Sequence, residues 1–194
     1  QNLSMKKFFI FGIILSIITK LSLNIIDLRP NYKSKEYKIR GIDISHHNDI
    51  NDWSKIKNQT GFVFIKATEG KDFKDSQFKS NWKNSKKHNI IRGAYHFFTP
   101  GVSVEEQFNN FKNTVNLKKG DLPPMIDVET KGFNPKEVNK WIKLAKEYYG
   151  VKPILYSEFV FFKFFLEENV TDCDIFIYVD EKFYVKPLFN TYDC

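Results

Sequence analysis

The chain has 194 residues, 42% hydrophobic, 27% charged and 16% aromatic. That length and apolar content suit one globular domain with its own core and exclude a disordered or collagen-like chain. The net charge is +7, but residues 1–40 hold eight Lys/Arg against two Asp/Glu and the rest 22 against 21; the basicity sits in the leader, so a nucleic-acid partner is not expected.

In chain order, Met5-Lys6-Lys7 precedes an apolar run, Phe8–Ile18. A cationic start before an apolar stretch this short reads as a secretory signal or an uncleaved anchor over residues 1–26, since a spanning helix needs about 20 apolar residues. Residues 27–37 read as a polar tether, and 38–194 as the working domain of an exported protein. Lys38–Ser45 is a strand candidate, and Asp52 can cap a short helix carrying Trp53 and Ile56. FVFIK after Gly61 reads as a strand buried on both faces. Asp75–His88 reads as a helix with Phe78 and Trp82 on one side, and Ile91–Phe98 as the next strand. Val104–Val115 places Val104, Phe108, Phe111 and Val115 on one helical face. After Leu122-Pro123-Pro124 comes the short strand MIDV. Pro135–Tyr149 is a helix with Asn134 as N-cap, Pro135 in its first turn and Gly150 after its end. Pro153–Tyr156 is a strand, Phe159–Glu168 a helix and Asp174–Val179 a last strand.

Alternating strands and helices predict a parallel sheet with helical crossovers. Each consecutive strand ends in polar residues: Asp43 and Ser45, then Glu69, then Tyr95 and His96, then Asp127 and Glu129, then Tyr156. Ligands bind at the carboxyl ends of parallel strands, and a contribution from every strand favours a ring over a single switch point. With no glycine-rich phosphate turn, nucleotide binding is disfavoured.

Asp127-Val128-Glu129 carries the most chemistry. On a strand, i and i+2 face the same way, so both carboxylates project together while Val128 packs behind. Like charges about 6–7 Å apart in a partly dry pocket raise one another's pKa, which yields an acid able to protonate a leaving group. Glycoside hydrolysis needs that pairing of a carboxylic acid with a carboxylate. The alternative reading is a solvated strand end; Asp43 and Glu69 at neighbouring strand ends tip the balance towards function. His46 either shapes the groove or makes loop-end hydrogen bonds, as does His47. His96 is read as satisfying backbone or carboxylate partners at the barrel mouth rather than acting as a base. Trp53, Trp82 and Trp141 sit in helical patterns and are assigned to core packing. Scattered histidines, no HExxH and only Cys173 and Cys194 as thiols predict neither metal nor cofactor; whether the two cysteines pair is left open by their spacing.

GIDISHHNDINDW (41–53), FVFIKATEG (62–70), GAYHFF (93–98), LPPMIDVE (122–129) and ILYS (154–157) occur in the order found in glycoside hydrolase family 25, the N-acetylmuramidase-type lysozymes, which the chain resembles from Gly41 to Ser157. The resemblance implies an α/β fold, a modified TIM-like (β/α) barrel. It also implies cleavage of the β-1,4 bond between N-acetylmuramic acid and N-acetylglucosamine in peptidoglycan, without metal or cofactor, by a monomer. By motif, Glu129 resembles the general acid, Asp127 the partner that tunes it and orients the sugar's acetamido group, and Asp43 the carboxylate facing them from the first strand. Glu69, Tyr95, Tyr156 and His46 resemble residues lining the groove. Beyond Ser157 the pattern thins. Ile175–Tyr178 loosely replaces a W-I-A-like strand, and the W-Q and V-D-x-N segments have no counterpart, because Asp193 sits in a different context. The expectation is therefore a barrel lacking its last strands. A non-catalytic remnant that holds cell-wall glycan is the alternative.

Overall fold

The computed structural model describes residues 39–178. The leader, the tether, Asp193 and Cys194 lie outside the described residues.

The strands are β1 (Gly41–Ile44), β2 (Phe62–Glu69), β3 (Phe73–Lys74), β4 (Ile91–Phe97), β5 (Met125–Asp127), β6 (Ile154–Glu158) and β7 (Asp174–Tyr178). Between them lie α1 (Trp53–Gln59), α2 (Phe78–Lys87), α3 (Val104–Thr114), α4 (Pro135–Tyr149) and α5 (Phe159–Phe161), the last continued by a π-helical turn, Phe162–Leu166. The sheet order is β1-β2-β4-β5-β6-β7, parallel throughout, with β3 pairing antiparallel to β2. Chain order and spatial order coincide, so the sheet curls steadily in one sense into a half-barrel. That is the partial (β/α) barrel expected of the sequence, with β1 and β7 as the ends of the described order.

Strand alternation sorts the core into two layers. Val63, Ile65, Ala67, Ala94, Ile126, Val128 and Leu155 face outward and merge with Phe78, Phe108, Phe111, Val138, Trp141, Ile142 and Leu166 from the helical side. Phe64, Tyr95, Met125 and Ile154 point into the hollow of the sheet, with Phe62, Leu122, Tyr156 and Phe176 against them. Phe64 fits because its neighbour across the ladder is Gly93; a Cβ there would stand 2.2 Å from the Phe64 ring. Gly93→Ala should therefore cost about 1–3 kcal/mol by overpacking, read as a lowered urea midpoint; an unchanged midpoint would show that Phe64 can swing aside.

Local signals set the helix ends. The Asp52 carboxylate accepts from the Ser54 and Lys55 amides at 2.9 and 3.2 Å. Asn134 and Glu137 form a reciprocal capping box at the start of α4, and Gly150 ends it with φ 71°, a left-handed turn open to glycine. Three expectations need correction. The helix expected from Asp75 begins only at Phe78: Asp75 closes a turn ahead of it, its Oδ1 accepting from the Gln77 amide at 3.0 Å while its Oδ2 holds His46. The helix expected over 159–168 is one short turn followed by π-helical bonding, with the Glu167 amide reaching Phe162 O at 2.9 Å. Phe162 and Leu166 of this turn are both in the core. His96 is not at the barrel mouth: it is fully buried on the outer face, bonded to Thr68 Oγ1 at 2.8 Å and Gln107 Oε1 at 3.2 Å. Burial pulls its pKa down to about 4, so it is neutral packing material. The tryptophans pack as expected: Trp53 and Trp141 are buried, and the Arg92 guanidinium covers Trp82 at 3.9 Å.

Candidate active site

Strand register lines up the inward-facing polar groups. Glu69, Phe97, Asp127, Tyr156 and Phe176 are successive partners across β2, β4, β5, β6 and β7. One level deeper, Lys66, Tyr95, Met125 and Ile154 form the next row, and Asp43 of β1 is level with Phe64. Neighbouring strands lie about 4.8 Å apart, so these rows bring distant parts of the sequence onto one concave face. Its floor is apolar: Tyr156 stacks on Phe176 with ring centroids 5.6 Å apart.

Asp127 is held hard in place. Its carbonyl accepts from the Phe98 amide, and the next amide, of Val128, donates to Tyr156 O, both at 2.9 Å. The Ser157 hydroxyl donates to Val128 O at 2.7 Å. The backbone of β5 is thus clamped on both sides while Val128 plugs the outer core. Asp127 is buried, and its Oδ1 has no hydrogen-bond partner among the described residues. Glu129, two residues on, is exposed.

Burial pushes three carboxyls in the same direction, and repulsion adds to it for Asp127 and Glu129. Asp127 is held well above the usual carboxylate range, first by burial, then by the charges of Glu129 and Asp43, with Lys66 opposing. Glu129 is raised by desolvation of its carboxyl and then by Asp43 and Glu158. Asp43 is raised by desolvation, against a backbone hydrogen bond that favours its ionised form. The Tyr95 phenol is raised by burial and by Asp43, Asp127, Asp75 and Glu129. A cluster wired in this way shares protons: removing all of them would crowd like charges into a dry hollow. Glu129 and Asp43 both reach solvent, whereas Asp127 lies buried.

One cation answers the cluster. Lys66 is 8% exposed, donates to Glu69 Oε2 at 2.6 Å, and lies 4.9 Å from the Phe97 ring centroid. Lys66 and Glu69 meet because the ladder between β2 and β4 slips at Ala67: Lys66 pairs with Tyr95, yet Thr68 pairs with His96. This bulge re-aims the last residues of the strand. Beside it, the His46 amide and ring Nδ1 bond to Asp75 Oδ2 at 2.9 and 2.7 Å, and the His46 ring leans on His47 and the half-exposed Phe73.

Of the residues singled out from sequence, Asp43, Glu69, Tyr95, Asp127, Glu129 and Tyr156 share the concave face, and His46 stands at its rim on β1's following loop. Sequence reasoning missed Lys66, Asp75 and Glu158. A lysine at an inward position of an otherwise apolar strand was the available signal for Lys66, and the i+2 spacing from Tyr156 for Glu158. Asp75, buried at 5% exposure, gave none, because its partner lies 29 residues away. Among the described residues no cluster of three or more His, Cys, Asp or Glu could hold a metal ion.

Comparison with known proteins bears on the family and the fold. The profile of glycosyl hydrolases family 25 matches residues 42–188, well past the point where the motifs thin. The chain is 39% identical over 137 residues to the uncharacterized protein YegX of Escherichia coli K12, covering 65% of this chain and 50% of that one. It is 34% identical over 134 residues to an N,O-diacetylmuramidase of Arthroderma benhamiae, covering 61% and 57%. A family 25 glycosyl hydrolase from Bacillus anthracis superposes with a TM-score of 0.69 at 34% identity, over 75% of this chain and 72% of that one. The chain spans about half the length of the curated relatives it matches. With its parallel half-barrel, its inward carboxyls and a profile match across most of its length, the chain belongs to glycosyl hydrolases family 25.

Proposed function

We propose that the chain is a muramidase, hydrolysing the β-1,4 bond between N-acetylmuramic acid and N-acetylglucosamine in peptidoglycan glycan strands. The observation that carries this reading is the carboxyl cluster: Asp43, Asp127 and Glu129 on one open face, each raised by a drier setting. Glu129 delivers its proton to the glycosidic oxygen as the bond breaks. Asp127, with a buried acceptor oxygen still free among the described residues, takes the N–H of the acetamido group at the reacting sugar. Asp43 supports positive charge on the ring from the opposite strand. Tyr95 anchors the floor, and Glu69, Tyr156 and His46 line the groove. All these groups come from one chain, so a monomer suffices. The apolar run 8–18 supports export, where cell-wall glycan is met. No helix of the described residues is long and apolar enough to cross a membrane.

The test is digestion of purified peptidoglycan by the full chain. New reducing ends on N-acetylmuramic acid, identified by mass spectrometry after borohydride reduction, are expected. Retention on the sacculi with no new reducing ends would replace the reading with a glycan-binding barrel.

A further inference from the structure

Glu158 is the last residue of β6, and by strand alternation it shares the inward face of Ile154 and Tyr156. Its Oε2 accepts from the Phe161 amide at 2.9 Å, which ties the side chain to the first turn of α5. The β5–β6 ladder pairs Asp127 with Tyr156, and the Val128 amide donates to Tyr156 O. Two residues further along each strand, Glu129 and Glu158 are therefore neighbours. We propose that Glu158 is a positioning residue for the muramidase reaction: its tethered carboxylate faces Glu129 across the β5–β6 pair and keeps a proton on Glu129 for delivery to the leaving oxygen. This rests on the reading of Glu129 as the acid.

The other charged groups around the cluster come from every neighbouring strand: Asp43 from β1, Lys66 and Glu69 from β2, the Tyr95 phenol from β4 and Asp127 from β5 itself. Asp43 and Glu158 are the two whose charges raise Glu129, while Lys66 acts on Asp127. Asp43 approaches from the far strand and Glu158 from the adjacent one, so the two hold the acid between them. The α5 amide matters because it fixes Glu158 at the end of the strand; a carboxylate without that tether would swing out into water and its repulsion would be screened.

The experiment follows the glutamate side-chain carboxyl carbons of the full chain by NMR across a pH titration, with Glu129 and Glu158 assigned from their Gln variants. Glu158→Gln keeps an oxygen for the Phe161 amide but removes the charge. The Glu129 pKa should fall by about half a unit, roughly a threefold loss of its protonated fraction above that pKa. The thermal midpoint should hold, and the alkaline limb of the kcat/KM profile on peptidoglycan should move down with the pKa. A Glu129 titration unchanged in this variant would overturn the proposal. The titration needs no turnover: a chain that shows the coupling but cuts no peptidoglycan would sink the muramidase reading and leave the coupling standing.

Discussion

Glu129→Gln is expected to lower turnover of peptidoglycan by about 10²–10⁴-fold, the range associated with loss of a general acid, and to leave the fold untouched. The amide keeps the shape of the side chain but has no proton of suitable acidity to give to the glycosidic oxygen. Exposure of Glu129 argues that little packing is lost. The sign of the stability change follows from the direction of its shift. Desolvation, Asp43 and Glu158 raise the folded-state pKa above the unfolded one. The folded parent therefore binds more protons than the unfolded chain within that window, and loses stability as pH rises through it. The Gln variant has no such loss. Its stability relative to the parent should grow from acid to neutral pH, while its activity stays low throughout. Urea midpoints at several pH values, set beside reducing-end release, check both parts. Turnover within a few-fold of the parent would move the acid to another residue.

Trp141→Ala should produce the largest loss of stability, about 3–5 kcal/mol. Trp141 is fully buried on α4. Its ring stacks on His96 at 5.8 Å with a 13° tilt, takes the Phe108 edge at 5.8 Å and meets Phe111 at 5.4 Å. It therefore joins α3, α4 and the outer face of β4. Domains of this kind have only about 5–15 kcal/mol in total, so the variant should be partly unfolded at physiological temperature. The indole N–H has no hydrogen-bond partner among the described residues. Trp141→Phe, which removes that unpaired donor and most of the cavity, should consequently lose less than half as much. Equal losses for Ala and Phe would show that a phenyl ring recovers none of the indole's contacts with His96, Phe108 and Phe111.

The elements legible in the sequence are those written by local chemistry. Asn134, Pro135 and Gly150 bracket α4 to the residue, because a cap, a fixed φ and a left-handed terminus act within a few positions. Asp127 and Glu129 declared a shared face through the two-residue period of a strand. The concave arrangement of Asp43, Glu69, Tyr95 and Tyr156 followed from their places at strand ends once parallel order was assumed. What escaped depends on partners far along the chain. Asp75 was assigned to a helix, yet it is held by His46, 29 residues earlier. His96 was placed at the mouth, whereas the slip at Ala67 hands it to Thr68 and Gln107 on the outer wall. The π-helical turn over Phe162–Leu166 was not legible either: residues four apart share a face in an ordinary helix too, so the burial of Phe162 and Leu166 does not tell the two apart.

That same slip makes β2 one residue longer than the stretch of β4 it pairs with. Deleting Ala67 would leave Thr68 opposite His96 and Glu69 opposite Phe97, so Glu69 would stay on the concave face. What would go is the bend and added twist that an extra residue gives a strand, and with them the aim of Lys66 at Glu69 Oε2. The surplus residue thus sets the direction in which the strand ends, and the ladder sets the face its side chains take.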